Sequence, residues 1–382
     1  MPVPTRKALF QLGPMGRRRI DNFKRSRRGH WSLRIFAVLF ALSLCAELIA
    51  NDRPLVASYK GEILFPVLFD YQEDKFGGFL AQTDYRDPVI AREIDANGWM
   101  VWPPVRFANG TRNLEVATPV PSPPTWWLTT AQCQAALRAR AARDPQFTFE
   151  GEGSCRDIEP MWLGSDDAAS DVLARIIYGF RLSLLFGLTL AGVSSVVGVL
   201  AGAVQGYFGG WLDLGMQRFI EIWSSLPSLY ILIILSAMFA PSFFVLLGIL
   251  LLFSWVSLVH LVRAEFLRAR NFEYVNAARA LGLSDAKIIV KHVLPNAMVA
   301  TLTFLPFIVN SSIGTLTSLD FLGLGMPPGS PSLGELLLQG KSNLSAPWLA
   351  LCAFAIIALM LSLLVFIGEA VRDAFDPRKT FQ

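Results

Sequence analysis

The chain has 382 residues, 53% of them hydrophobic and 17% charged, with a formal net charge of +4. Soluble domains carry nearer a quarter of their residues as charged groups. This composition therefore disfavours an ordinary soluble protein and points to several membrane spans.

The N-terminus is strongly basic. Arg6, Lys7, Arg17, Arg18, Arg19, Lys24, Arg25, Arg27, Arg28 and Arg34 stand before or at the start of the first apolar run, against only Asp21. Basic residues beside a first span set its orientation, which places residues 1–30 in the cytoplasm. No nucleic-acid partner is expected from them. The basic region is too long for a cleaved signal peptide, and no A-x-A site follows the apolar run.

Six apolar segments follow, at Trp31–Ala50, Leu182–Val204, Phe219–Ala240, Ser242–Val262, Ala297–Ser318 and Pro347–Gly368. Each is about 20 residues long, enough to cross about 30 Å of hydrocarbon as a helix. The expected fold is an all-α polytopic membrane protein with six transmembrane helices and both termini cytoplasmic. Residues 51–181 then lie outside as a loop-rich domain of short strands and turns, indicated by Pro- and Trp-rich stretches such as P-V-P-S-P-P-T-W-W. Residues 182–368 form the membrane core and 369–382 a cytoplasmic tail.

Cys133 and Cys155 share the external segment, whereas Cys45 and Cys352 fall within spans. In an oxidising compartment, a lone pair in one loop reads as a disulfide. No metal site is expected there, because the segment contains no histidine. Gly198, Gly202 and Gly206 make a smooth stripe for close helix packing, within this chain or against a partner. Glu221, near the inner end of the third span, is a candidate for the translocation path. Ser311, Ser312 and Thr315 on the fifth span are further candidates.

Gly334–Ser342 reads G-E-L-L-L-Q-G-K-S, but has five residues between its glycines where a phosphate-binding loop needs four. It is read instead as a short re-entrant or interfacial helix. His30, His260 and His292 stand in no arrangement with a serine and a carboxylate. No catalytic residue, cofactor or metal is therefore expected.

Residues 263–296 carry six Lys or Arg between apolar runs and are expected in the cytoplasm. Tyr274, Ala277, Ala278 and Leu281 share one helical face, Gly282 ends that helix, and Ser284 with Asp285 opens a second one toward Leu294 and Pro295. This punctuation predicts a rigid elbow.

A-A-R-A-L-G followed by H-V-L-P-N resembles the E-A-A-x-x-x-G loop of permease subunits of bacterial ABC importers. The resemblance carries Ala277, Ala278, Gly282, Leu294 and Pro295 into the ATPase-coupling loop, with Asn276 where the name-giving Glu stands. W-L-G-S-D-D-A-A-S-D-V-L-A-R (Trp162–Arg175), S-L-D-F-L-G-L-G and E-A-V-R-D-A-F-D-P-R are similar to the dipeptide and oligopeptide branch. N-D-R-P-L-V-A-S-Y-K-G-E-I-L-F-P resembles its Yej-type subgroup, associated with microcin C-like peptides. The segment Ala131–Glu159 looks like an addition to that pattern.

The resemblance implies a permease that moves peptides or peptide-like compounds across a bacterial inner membrane. Its implied partners are a homologous permease, two ATP-binding ATPase subunits that hydrolyse the ATP, an extracytoplasmic substrate-binding protein and membrane lipid. A self-contained channel or secondary transporter is the alternative, but the spans show no charge relay or internal repeat. A membrane sensor would need a cytoplasmic output domain.

Overall fold

The computed structural model describes residues 14–113, 116–143 and 155–375. Arg6, Lys7 and the end of the tail motif after Phe375 lie outside the described residues.

The chain opens with helices α1 (Pro14–Arg25), α2 (Arg27–Leu44) and α3 (Ala46–Ile49). Strands β1 (Val56–Tyr59) and β2 (Glu62–Leu64) precede α4 (Pro88–Asn97), β3 (Gly98–Val101) and α5 (Thr130–Arg143). Helices then dominate: α6 (Val172–Phe208), α7 (Gly210–Ser225), α8 (Ser228–Met238), α9 (Phe243–Ser254) and α10 (Val256–Ala269). The remainder is α11 (Glu273–Ala280), α12 (Asp285–Ile288), a π turn (Ile289–Val293), α13 (Leu294–Phe321), α14 (Leu333–Ser342) and α15 (Pro347–Phe375). The residues form two compact units, one of Leu39–Leu185 with Thr315–Ala358 and one of the rest.

The first unit holds the sheet, in order β2-β1-β3 with both pairs antiparallel. Lys60 and Gly61 both have positive φ, at 49° and 84°, as a two-residue hairpin turn requires. Asp87 caps α4 by accepting the Val89 N–H at 2.7 Å, and Pro88 occupies its first turn. Ile90 and Ile94, one turn apart, pack with Ala57, Tyr59, Leu64, Phe76 and Tyr85 into a small core. A second cluster joins Ala46, Ala50, Val105, Phe107, Met161, Ala174 and Tyr178. The strands and turns expected here are present, together with α4, which the apolar pattern did not announce. Cys133 and Cys155 form a disulfide that fastens α5 to the segment returning toward α6.

Among the described residues, four helical stretches are long and apolar enough to cross a membrane: Val172–Phe208, Phe243–Ala269, Asp285–Phe321 and Pro347–Phe375. The pair α7 and α8, bent by 70°, makes five if counted as one span. The segment expected as a straight span over Phe219–Ala240 is thus broken. Pro227 cannot donate a helical hydrogen bond and holds Leu226 in an extended conformation. Nor is the first segment one helix to Ala50. It breaks at Cys45, and Ala50 already bridges to Val105.

The second span begins ten residues before its expected start at Leu182. Two arginines hid this from hydropathy, and both are neutralised. Arg175 pairs with Asp166 and Glu335, and Arg181 pairs with Glu47 at 2.8 Å. Asp171 caps the helix by accepting the Ala174 N–H at 2.7 Å.

In the second unit, the glycine stripe of α6 faces α10. A β-carbon at Gly198, Gly202 or Gly206 would lie 2.6–2.7 Å from the carbonyl oxygens of Trp255, Val259 and Arg263. The stripe therefore serves packing within the chain, and a methyl at any of the three would separate the helices.

Candidate functional site

The elbow begins where α10 ends. That helix runs to Ala269, seven residues into the expected connector, and α11 starts at Glu273. α11 closes with a Schellman turn. Leu283 N–H donates to the Ala278 carbonyl at 3.2 Å and Gly282 N–H to the Arg279 carbonyl at 2.9 Å. Gly282 has φ +76°, and no atom lies within 4 Å of a would-be β-carbon. The backbone conformation, not space, demands glycine there.

The inward face of α11 differs from the expected stripe. Val275 and Ala278 are the residues that bury, joining Val199, Ala203, Tyr207, Val262, Phe266, Ala269, Ile288 and Val293 in one cluster. Tyr274, Ala277 and Leu281 face outward, and Leu281 at the tip is 81% exposed. The stripe took Ala278 as one of four, but its true neighbour on the buried line is Val275, three positions before it.

The second helix reaches Leu294 as expected but does not end there. α12 is one turn, and the chain continues through the π turn into α13, so Pro295 sits within the first turn of a helix already under way. Ser284 stands at the cap position without a side-chain cap bond. Asp285 instead accepts the Tyr207 hydroxyl at 2.6 Å, and the Arg279 guanidinium lies 5.2 Å from the Tyr207 ring centre.

Of the expected coupling residues, Ala278 is buried and Leu294 packs on the same cluster, while Asn276, Ala277, Gly282 and Pro295 are exposed. Nearby, Arg263 of α10 is held by both carboxylate oxygens of Asp213 of α7, at 2.5 and 2.6 Å. Gln217 donates to Gln205 at 2.8 Å.

The expected path residues do not converge. Glu221 is exposed and pairs with Arg218, one turn away, at 2.5 Å. On α13, Ser311 and Thr315 share an exposed face. Ser312 is buried and donates to the Ile308 carbonyl at 2.8 Å.

Gly334–Ser342 lies in α14 and forms no phosphate loop. Ser332 caps this helix, accepting from Gly334 and Glu335 N–H, and donates its hydroxyl to Asp320 at 2.5 Å. Gly334 and Gly340 permit close approach, to the Thr317 carbonyl and to Ala350.

Sequence reasoning missed two constellations. One is the buried group of Arg175, Asp166 and Glu335, in which Arg175 also donates to the Ser330 carbonyl at 2.8 Å. Beside it, burial pushes the Asp171 carboxyl up to about 7. An arginine at the start of an apolar run was the available signal. The other is the Tyr207–Asp285–Arg279 contact, whose members are too far apart in sequence for any local pattern. Among the described residues, no group of His, Cys, Asp and Glu side chains could hold a metal ion.

Residues 194–381 match the family of binding-protein-dependent transport system inner membrane components. The chain is 62% identical to the peptidoglycan transport system permease protein YejE of Agrobacterium fabrum, over 97% of this chain and 95% of the relative. It is 55% identical to the inner membrane ABC transporter permease protein YejE of Escherichia coli, over 97% and 99%. The oligopeptide transport system permease protein OppC of Haemophilus influenzae is 35% identical over 57% of this chain and 70% of its own length.

Proposed function

Given that the chain belongs to the family of binding-protein-dependent transport system inner membrane components, we propose that it is the membrane-spanning permease of a peptide importer and that its elbow receives the ATPase. The observation that carries this reading is the two-sided character of the elbow. Val275, Ala278, Ile288 and Val293 seal one side against the chain's own core, while Leu281 stands out at the tip beside a conformationally fixed Gly282. Leu281 shares this outward side with the exposed Tyr274 and Ala277, and a contiguous apolar patch of that kind is what a partner covers.

The transported compounds are peptides or peptide-like molecules; the Agrobacterium relative is named for peptidoglycan transport. The chain spans the inner membrane six times, counting α2 and the bent α7–α8 pair, with both termini in the cytoplasm. The basic residues of α1 and of the elbow support that orientation. The segment from Asn51 to α6 is then extracytoplasmic, where an oxidising compartment suits the Cys133–Cys155 disulfide.

The complete transporter contains a second, homologous permease, two ATPase subunits that hydrolyse the ATP, and an extracytoplasmic binding protein. Closure of the ATPases displaces the elbow and shifts the helices between inward-open and outward-open arrangements. The exposed face of α13 that carries Ser311 and Thr315 borders the path. Ser312 serves its own helix, and Glu221 with Arg218 forms a polar patch at the end of α7.

The test is reconstitution of the full transporter in vesicles. Gly282→Asp forces a β-carbon into a positive-φ turn and sets a negative charge beside Leu281. It is expected to leave the subunit inserted and to abolish ATPase assembly or peptide-stimulated ATP hydrolysis. Normal transport by that variant sinks the coupling assignment.

A further inference from the structure

We infer that Tyr207 is a positioning residue through which displacement of the elbow reaches the membrane helices. The inference rests on the elbow being the ATPase-receiving element, and adds the connection by which its movement is passed on.

Tyr207 occupies the last turn of α6 and is buried. Its hydroxyl donates to Asp285, the first residue of α12, and its ring lies under the guanidinium of Arg279 in the last turn of α11. One side chain thus touches both short helices of the elbow, on either side of Gly282. Among the described residues, the polar ties from α11 and α12 to α6 all run through it. A phenol donating to a carboxylate makes a charge-assisted bond, stronger than one between neutral groups. The guanidinium over the ring adds an attraction that a plain apolar contact lacks.

What Tyr207 holds is not free to yield. Gly206, its neighbour, meets the Arg263 carbonyl, and Gly202 meets that of Val259, so this end of α6 lies against the backbone of α10. The Arg263 side chain is in turn held at two points by Asp213 of α7. A push on the Leu281–Gly282 tip arrives at Asp285 within three residues. From there it meets three helices already fixed to one another. The apolar cluster beneath would let the elbow slide, because burial has no direction; the hydrogen bond and the stacked cation give it one.

Tyr207→Phe removes only the hydroxyl and keeps the ring beneath Arg279. The full transporter carrying it is expected to assemble with its ATPases and to keep its KM for peptide. The number of peptides moved per ATP should fall by about tenfold or more, the factor that loss of one bond to a charged acceptor corresponds to. Asp285→Ala, at an exposed position, should give the same ratio, and the double variant should be no worse than either single one. Asp285→Asn keeps an acceptor oxygen and should restore the ratio to within about twofold.

A wild-type ratio in both Tyr207→Phe and Asp285→Ala overturns the inference. So does a fall in KM-independent assembly without any change in peptides per ATP, because that is the mark of a merely structural contact. The two readings separate cleanly. If Gly282→Asp loses the ATPase while Tyr207→Phe transports normally, only the Tyr207 connection fails. If Gly282→Asp transports normally, the elbow assignment beneath it fails.

Discussion

The elbow and the segment around Arg175 each gather charged groups beside apolar helix, and they dispose of them in opposite ways. Around Arg175 the groups close on one another. Arg175 is 1% exposed and its two terminal nitrogens are held by Asp166, Glu335 and the Ser330 carbonyl, and Asp166 also takes the backbone N–H groups of Ala168 and Ser170. On the elbow, Lys287, Lys291 and Asn276 stay outside with Leu281, and only one apolar face is sealed. The first arrangement is turned inward within the subunit; the second leaves surface for another. Charge density alone would not have told them apart, because burial and pairing carry the difference.

The largest expected effect falls on the closed network. Arg175→Ala strands the buried Asp166 carboxylate and should cost roughly 3–5 kcal/mol, read as loss of folded subunit from detergent extracts. Replacing Arg175 and Asp166 together by Met and Leu should recover much of that, whereas an equal loss would show that the bonds themselves, not the stranded charge, dominate. Reducing the disulfide that spans 22 residues should cost the surrounding segment about 3 kcal/mol. Limited proteolysis near α5, with and without reductant, measures this.

Asp171 gives a smaller and pH-dependent effect. Burial holds its carboxyl near 7, above the unfolded value of about 3.9, and its Oδ2 is buried without a hydrogen-bond partner. The folded state therefore binds the extra proton between those values. The stabilisation is complete below about pH 4 and is lost as pH rises through 7. Asp171→Asn should flatten thermal melts across that range and be more stable by roughly 1–3 kcal/mol at pH 8. A parallel pH slope in both proteins would refute this.

The smallest effect on folding belongs to the elbow. Leu281→Asp, at an exposed tip, should change stability by less than about 0.5 kcal/mol. It should nonetheless weaken co-purification of the ATPase at least about tenfold. If instead it unfolds the subunit and spares assembly, the contrast between the two regions collapses.

Much of this was legible in the residues. Long apolar runs placed the helices, the Cys133–Cys155 pairing followed from compartment and count, and Gly282 announced a turn that only a positive φ closes. Other features were hidden by interactions distant in sequence. The early start of α6 was concealed because Arg175 and Arg181 read as polar until their carboxylate partners are known. Pro227 was in plain sight within an apolar run, and hydropathy, being blind to backbone donors, ran the span straight through it. The inward face of α11 was misassigned because Ala, the smallest apolar residue, occupies both sides of that helix. Tyr207 gave no signal at all, since its partner Asp285 lies 78 residues away.

The glycine stripe also bears on how the chain is made. α6 emerges from the ribosome well before α10, and its bare backbone face has no mate until Trp255, Val259 and Arg263 have been made. Asp213 likewise waits for Arg263, 50 residues further along. Until then a nascent chain offers quality-control proteases a grooved helix and an unneutralised carboxylate. Chains truncated before Val262 should therefore be degraded faster than those extending past Arg263, which makes completion of α10 the step that commits the subunit to survival.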